Sequence, residues 1–572
     1  MHGVWRPARP RVLWALGVVA VVVLCFWCYL RLSQTEALNS DAAGQVLQGW
    51  QMLHGNPLLR GWFLSDVSFY TFEVPLDGLV ATAFGLGPGD LNIAAALIYT
   101  LIVLLAALLA KGKARGREGV VRALLAAGIL VAPVLNPGAH VLLLAADHTG
   151  VAVPVLLTLV FLDLVMPAPG ETIPPEGATP LKTWWVPVTA CVLLTWAQLD
   201  DPVATYAGAL PLAVVCLVRA ASSARSPRPR RWDDAALAVA AVASYGLTRV
   251  ISSGIRAAGG FYVFPSHTLG IAPVSALPHQ LLETVQDALM LFSANYWGQR
   301  TALDTATGYL HLAAVAVALC GLALAVWGLF FRLGGSFRPD PSGAPDVRAA
   351  RADRVSQVLA VGACVMLAAS VFAAPAVPVH SAHEIAIVVP MTAVLGGRLV
   401  GPWLSGARRA AAGTRRPRTD VARIPVAFVL AVAGACYLGV LGYTAAQSAR
   451  QPSTPTLASW LVAHRLTSGL AGYWVANLTT LDADGQVRIA GVSGGGTAAN
   501  AWESDATWYN AADSAANFVV VAPAPPSAAI TPPLAAVRAF YGRPARTYRF
   551  QQYTVLVYDY NVLRQLHRFY YP

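Results

Sequence analysis

Over the first 446 positions, apolar residues come in long blocks parted by short charged stretches, at 12–32, 91–110, 120–136, 149–165, 184–199, 203–218, 235–251, 309–331, 355–375, 385–400 and 424–446. Blocks of about 17 to 25 apolar residues have the length that crosses a bilayer as a helix. The pattern therefore predicts a polytopic α-helical membrane protein with about eleven spans, several of them short or interrupted by Pro and Gly.

Past residue 446 the pattern changes. A linker-like QPSTPT (451–456) precedes a helical LASWLVAHRL (457–466). Short runs of strand character follow: YWVANLTTL (473–481), QVRIAGVS (486–493), FVVVAPA (518–524), TYRFQQ (547–552) and YTVLVYDY (553–560). Asp484-Gly485 and Gly494-Gly495-Gly496 give turn signals between them. This predicts a small α/β domain over 447–572, beside a membrane domain over 1–446. Within it, GGTAANAWESDATWYNAADS (495–514) mixes aromatic and amide side chains, a combination that suits sugar faces and hydroxyls and equally an ordinary loop.

Composition agrees with a membrane setting. Of 572 residues, 56% are hydrophobic and only 12% charged, and the mean hydropathy is +0.55. A single soluble core does not bury that much apolar surface. The formal charge of +11 is divided among many short stretches, such as Arg6/Arg9/Arg11, Lys111/Lys113/Arg115/Arg117 and Arg408/Arg409/Arg415/Arg416/Arg418. Positively charged loops stay in the cytoplasm, so the N-terminus is predicted inside the plasma membrane and the tail domain outside. Charge dispersed in this way reads as membrane anchoring and argues against nucleic-acid binding. All seven cysteines fall in or at the edges of the apolar blocks, which excludes a disulfide framework in the tail.

The first external loop, 33–90, is long. In LNSDAAGQVLQGWQMLHGNPLLRGWFLSD (38–66), a helix starting near Ser40-Asp41 sets Val46, Leu47, Trp50 and Leu53 on one side and Asp41, Gln45 and Gln48 on another. Such a helix lies in the membrane interface. FYTFEVPLDGLVATAFGLG (69–87), with Glu73 and Asp77 embedded, predicts a second.

This layout, with short acid- or His-bearing outer loops and a terminal external domain, resembles the GT-C superfamily of integral membrane glycosyltransferases. The stretch 38–66, LDDP (199–202) and HEIAIVVPMTAVLGGRL (383–399) are similar to bacterial, actinobacterial-like members related to protein mannosyltransferases and lipid A aminoarabinose transferases. The resemblance implies sugar transfer from a polyprenyl-phosphate donor to a glycan, lipid or protein acceptor of the cell envelope. It maps the family's loop acid onto Asp41 by position, although the Asp-Glu doublet of some mannosyltransferases is missing here.

That chemistry needs a carboxylate to take the acceptor hydroxyl proton. It also needs donors, cations or a divalent metal to meet the charge developing on the leaving phosphate. Asp41 and Asp66 are the catalytic candidates; a helix-start acid is the other reading of Asp41. Glu73, Asp147, His148, Asp200, Asp201, Arg256, Arg300, His383 and Glu384 are the substrate-binding candidates, because they fall in external segments or at predicted outer edges of spans. Capping accounts for the aspartates without function. The rival classes are a lipid-linked-sugar flippase or transporter and a non-catalytic envelope-assembly protein. A flippase calls for repeats or mid-membrane ionisable groups, and a transferase for outer acids and cations that converge.

Overall fold

The structure, a computed structural model, describes residues 9–134, 137–144, 148–166, 184–222, 228–264, 270–295, 297, 301–333, 353–374, 382–405, 423–450, 455–523 and 532–567. The first apolar block is α1 (Arg9–Ser33), followed by two helices of the first loop, α2 (Ser40–Leu53) and α3 (Glu73–Phe84). The chain continues through α4 (Gly89–Lys111), α5 (Gly116–Leu130), a short α6 (Pro137–Leu143), α7 (Ala152–Val165) and α8 (Trp185–Asp200). Then come α9 (Leu210–Ser222), α10 (Arg228–Ala257), α11 (Leu277–Leu291), α12 (Ala302–Leu333), α13 (Arg354–Phe372), α14 (Val388–Leu404) and α15 (Arg423–Ala446).

Every apolar block falls on a helix, and the protein is a multi-pass membrane protein. By length and composition, seven of the described helices are long and apolar enough to cross a bilayer. The expected count of about eleven is not reached by this measure, because α5, α7 and α8 run only 15, 14 and 16 residues and α15 counts only over Val432–Ala446. The helices are tied at one end by ion pairs. Arg398 of α14 meets Asp163 of α7 and Asp353 before α13, each at 2.7 Å, and Asp234 of α10 meets Arg354 at 2.6 Å.

In the first loop, α2 begins where the sequence places it, with the Asn39 side chain accepting the Ala42 N–H. Its polar side is not turned to water, however. Gln45 and Gln48 are buried, Gln48 against Glu503 of the C-terminal region, while Leu53 is exposed. Helices α2 and α3 touch backbone to backbone at Gly49 and Gly78. A Cβ on Gly49 would meet the Val74 carbonyl at 2.3 Å, so only glycine permits this approach.

The C-terminal region opens with α16 (Pro455–Ala463) and holds a six-stranded sheet in the order β6-β5-β4-β8-β10-β9. Its strands are β4 (Ser468–Gly472), β5 (Arg488–Ser493), β6 (Ala498–Ala499), β8 (Phe518–Val521), β9 (Arg546–Phe550) and β10 (Tyr553–Val557). The segment YWVANLTTL, expected as a strand, is the helix α17 (Tyr473–Asp482). The reason is connectivity: β4 and β5 are parallel neighbours, and parallel neighbours need a crossover, usually helical, whatever the local β propensity. A last helix, α18 (Leu534–Tyr541), precedes the β9–β10 hairpin.

Two short antiparallel pairs complete the topology, β1 (Trp62–Phe63) with β7 (Ser504–Asp505), and β2 (Gly270–Ile271) with β3 (Ala373–Ala374). The first joins the first loop to the C-terminal region. The two also share a hydrophobic core, in which Leu47, Trp62 and Leu64 of the loop pack with Leu470, Val519 and Leu556 of the sheet.

Candidate functional site

Asp41 stands in the first turn of α2, and that turn is held down by the C-terminal region. Ser40 Oγ donates to the Tyr473 carbonyl at 2.6 Å. The Asp41 carboxylate accepts hydrogen bonds from the Tyr473 hydroxyl and, at 3.2 Å, from the Trp502 indole N–H. Beside it lies Glu503, 2% exposed. The Gln48 side-chain amide and the Ser65 backbone N–H, the latter at 3.2 Å, donate to the Glu503 carboxyl. Burial, and after it the Asp41 charge, push the Glu503 carboxyl up to about 8 against the pull of those hydrogen bonds. At neutral pH Glu503 is therefore mainly protonated, which spares the site a second buried negative charge.

The residue after Ser65 is Asp66, where a second cluster begins. His148 Nδ1 lies 2.7 Å from Asp201 Oδ2, and Asp201 Oδ1 accepts the Val203 N–H at 2.8 Å. The His383 ring stacks on His148 with centroids 5.3 Å apart and planes 8° from parallel. Glu384 interacts electrostatically with His148, Asp66 and Asp201. Four chain segments thus bring three acids and two imidazoles together. Asp200 faces another way: its Oδ1 accepts the N–H groups of Thr71 and Phe72 at 3.2 and 2.8 Å, and its carbonyl accepts that of Phe69 at 2.9 Å. It fixes the entry to α3.

Three non-glycine residues of these clusters have left-handed backbone, Phe69 at φ +48°, His148 at +32° and Glu503 at +47°. Such conformations cost about 1–3 kcal/mol each and persist where surrounding contacts impose them. Here the contacts are the Phe69–Asp200, His148–Asp201 and Glu503–Ser65 hydrogen bonds.

Of the candidates from sequence, Asp66, His148, Asp201, His383 and Glu384 come together, and Asp41 is linked to them through its neighbour Glu503, which accepts the Ser65 N–H. Glu73, a substrate-binding candidate, is 2% exposed and packs against Gly150. Arg256 lies over the Tyr262 ring, 5.3 Å from its centroid. Asp147 and Arg300 lie outside the described residues. Tyr473, Trp502 and Glu503 were missed, although the last two sit in the aromatic and amide-rich stretch 495–514. Among the described residues, no group of three or more His, Cys, Asp or Glu is placed to hold a metal ion.

No protein-family model and no curated protein sequence matches the chain. Solved structures do. The aminoarabinose transferase ArnT from Cupriavidus metallidurans in the apo state superimposes with a TM-score of 0.52 at 14% identity, over 98% of this chain and 99% of that one. ArnT bound to undecaprenyl phosphate gives the same TM-score and identity over 97% and 99%. The archaeal oligosaccharyltransferase AglB from Archaeoglobus fulgidus is a fainter match, with a TM-score of 0.47 at 13% identity over 88% of this chain and 69% of that one. The likeness to ArnT runs end to end, and the chain shares the fold of ArnT.

Proposed function

We propose that the protein transfers a sugar from a polyprenyl-phosphate-linked donor to a cell-envelope acceptor at the outer face of the plasma membrane. The observation that carries this reading is the meeting of two clusters, Asp41 with Glu503 and His148 with Asp201, His383 and Glu384, through the consecutive residues Ser65 and Asp66. A fold shared with ArnT, one structure of which is bound to undecaprenyl phosphate, supports the lipid-linked donor class.

In this reading the Asp41 carboxylate takes the acceptor hydroxyl proton while the hydroxyl oxygen attacks the anomeric carbon. The bond from that carbon to the phosphate oxygen breaks, and polyprenyl phosphate leaves with the electron pair. Tyr473 and Trp502 hold the carboxylate in place through their hydrogen bonds. Asp201, accepting at His148 Nδ1, fixes the orientation of that ring, and the stacked His148 and His383 present N–H groups where phosphate charge develops. Asp66 and Glu384 border the acceptor side. The test is radiolabel transfer by the purified protein from a panel of polyprenyl-phosphate sugars into envelope fractions, with labelled product and free polyprenyl phosphate as the expected result. If no donor supports transfer while labelled lipid crosses the bilayer of proteoliposomes, the protein is a flippase and this reading fails.

The proposed side of the membrane has its own check. The Lys/Arg asymmetry puts the N-terminus inside and residues 447–572 outside. A reporter fused after residue 450 is expected to be active only in its extracytoplasmic form. Activity of a cytoplasm-specific reporter at that position would put both clusters on the wrong side of the membrane.

A further inference from the structure

A cavity of about 260 Å³ opens beside β9 and β10, and none of its lining residues is a hydrogen-bond partner of the Asp41 or Glu503 carboxyl. The sheet order sets β9 and β10 at the side opposite β5 and β6, whose end leads into the loop of Trp502 and Glu503. Leu466 and Val557 give the cavity apolar walls, His464 and Tyr548 give it rings, and Arg546 and Asp559 give it charge.

The rings are braced. Trp460 of α16 stacks on His464, centroids 3.8 Å apart, and on Phe550 at 5.5 Å, with Tyr548 edge-on at 5.3 Å. Arg546, Tyr548 and Phe550 alternate along β9 and share one face, in register with Val557, Val555 and Tyr553 of β10. The polar groups are varied in kind. His464 Nδ1 lies 2.8 Å from the Trp460 carbonyl; a carbonyl only accepts, so Nδ1 is the donor and the neutral ring keeps Nε2 as an acceptor. Arg546 adds a fork of donors, Asp559 adds acceptors, and the Tyr548 hydroxyl serves as either.

One cation beside one anion gives no net field to attract a phosphate or an amine. A ring with an apolar face and a hydroxyl rim matches the combination of aromatic faces, apolar walls and mixed donors and acceptors. We propose that this cavity binds a sugar unit of a neutral glycan at a site separate from the transfer chemistry; that this glycan is the acceptor chain rests on the function proposed above. The site would hold a polymeric acceptor by its body while its end is presented to Asp41.

Arginines on an edge strand also deter pairing with other chains, and the experiment separates the two roles. Full-length protein in detergent micelles is titrated with soluble hexaoses of glucose, galactose and mannose, and with inorganic phosphate as an anionic probe, followed by saturation-transfer NMR. At least one hexaose is expected to bind, with Tyr548→Ala and Arg546→Ala each weakening it about tenfold or more and Asp41→Asn leaving it unchanged. Absence of hexaose binding, binding of phosphate alone, or hexaose binding indifferent to both substitutions overturns the proposal. Should Tyr548→Ala not fold, Arg546→Ala, at an exposed position, decides alone. Binding is read without turnover, so a failure here leaves the transfer reaction standing, and a failed transfer assay leaves the binding result standing.

Discussion

Asp41→Asn is expected to lower sugar transfer by about 100-fold or more, the range that loss of a general base costs. The substitution keeps the shape of the side chain and an oxygen to accept from the Tyr473 hydroxyl and the Trp502 indole, so folding and donor binding should survive. A helix-start acid without a chemical role would lose only about 0.3–1 kcal/mol of stability and little turnover. Initial rates of labelled-sugar transfer, set beside donor-lipid binding and thermal melting of the same preparations, distinguish the two. Asp66→Asn is the neighbouring control, expected to change transfer less. Near-normal transfer by Asp41→Asn at normal expression would remove Asp41 from the reaction and turn attention to Asp66 and Glu384.

The second large effect concerns Glu503 and acts on stability. Its carboxyl is raised to about 8 in the folded protein from an ordinary value of 4.5, so between those values the folded state holds a proton that the unfolded chain has released. Stability must then fall as pH rises through that window. The contribution is fully present below the unfolded value and lost once pH passes the folded one. For a group this deeply buried, the change is on the order of a few kcal/mol. Glu503→Gln, neutral at every pH, should flatten this dependence and melt higher than the parent above neutrality. Its amide can serve the same neighbours once the Gln48 amide turns over. Melting temperatures of both proteins between pH 5 and about 9 decide the matter; parallel curves would mean that Glu503 is ionised in the fold. Transfer by Glu503→Gln should stay within a few-fold of the parent. A loss matching that expected for Asp41→Asn would make Glu503 the acting group.

The sequence was most legible where one physical rule acts alone. Apolar blocks long enough for a bilayer became helices, and α2 starts at Asn39-Ser40 because capping is local. What sequence reading missed depends on partners distant in the chain. YWVANLTTL has strand composition, yet the parallel pairing of β4 and β5 makes it a helix. Gln48 belongs to the polar side of an amphipathic helix, and nothing local says that a segment some 450 residues later, containing Glu503, covers it. In the candidate site, His148, Asp201, His383 and Glu384 were legible because they fall at predicted ends of spans, and Asp66 because it lies in the first external loop. Tyr473, Trp502 and Glu503 were not, because their positions follow from docking of the sheet on the first loop, and composition carries no record of that contact. Asp200 and Asp201, adjacent and alike, divide their work: one pins the start of α3 and the other holds His148.

The Asp41 carboxylate takes its two donors from residues 473 and 502, and this sets an order of events during synthesis. A chain that enters the membrane segment by segment exposes α2 early, with Ser40, Asp41 and Gln48 in water and nothing yet to cover them. Their partners leave the ribosome only some 430 to 460 residues later. A truncated or stalled chain therefore presents an incomplete site, and the first loop stays open to proteases and chaperones until the tail arrives. Docking of the C-terminal sheet on the first loop, and not insertion of the helices, then completes the candidate site.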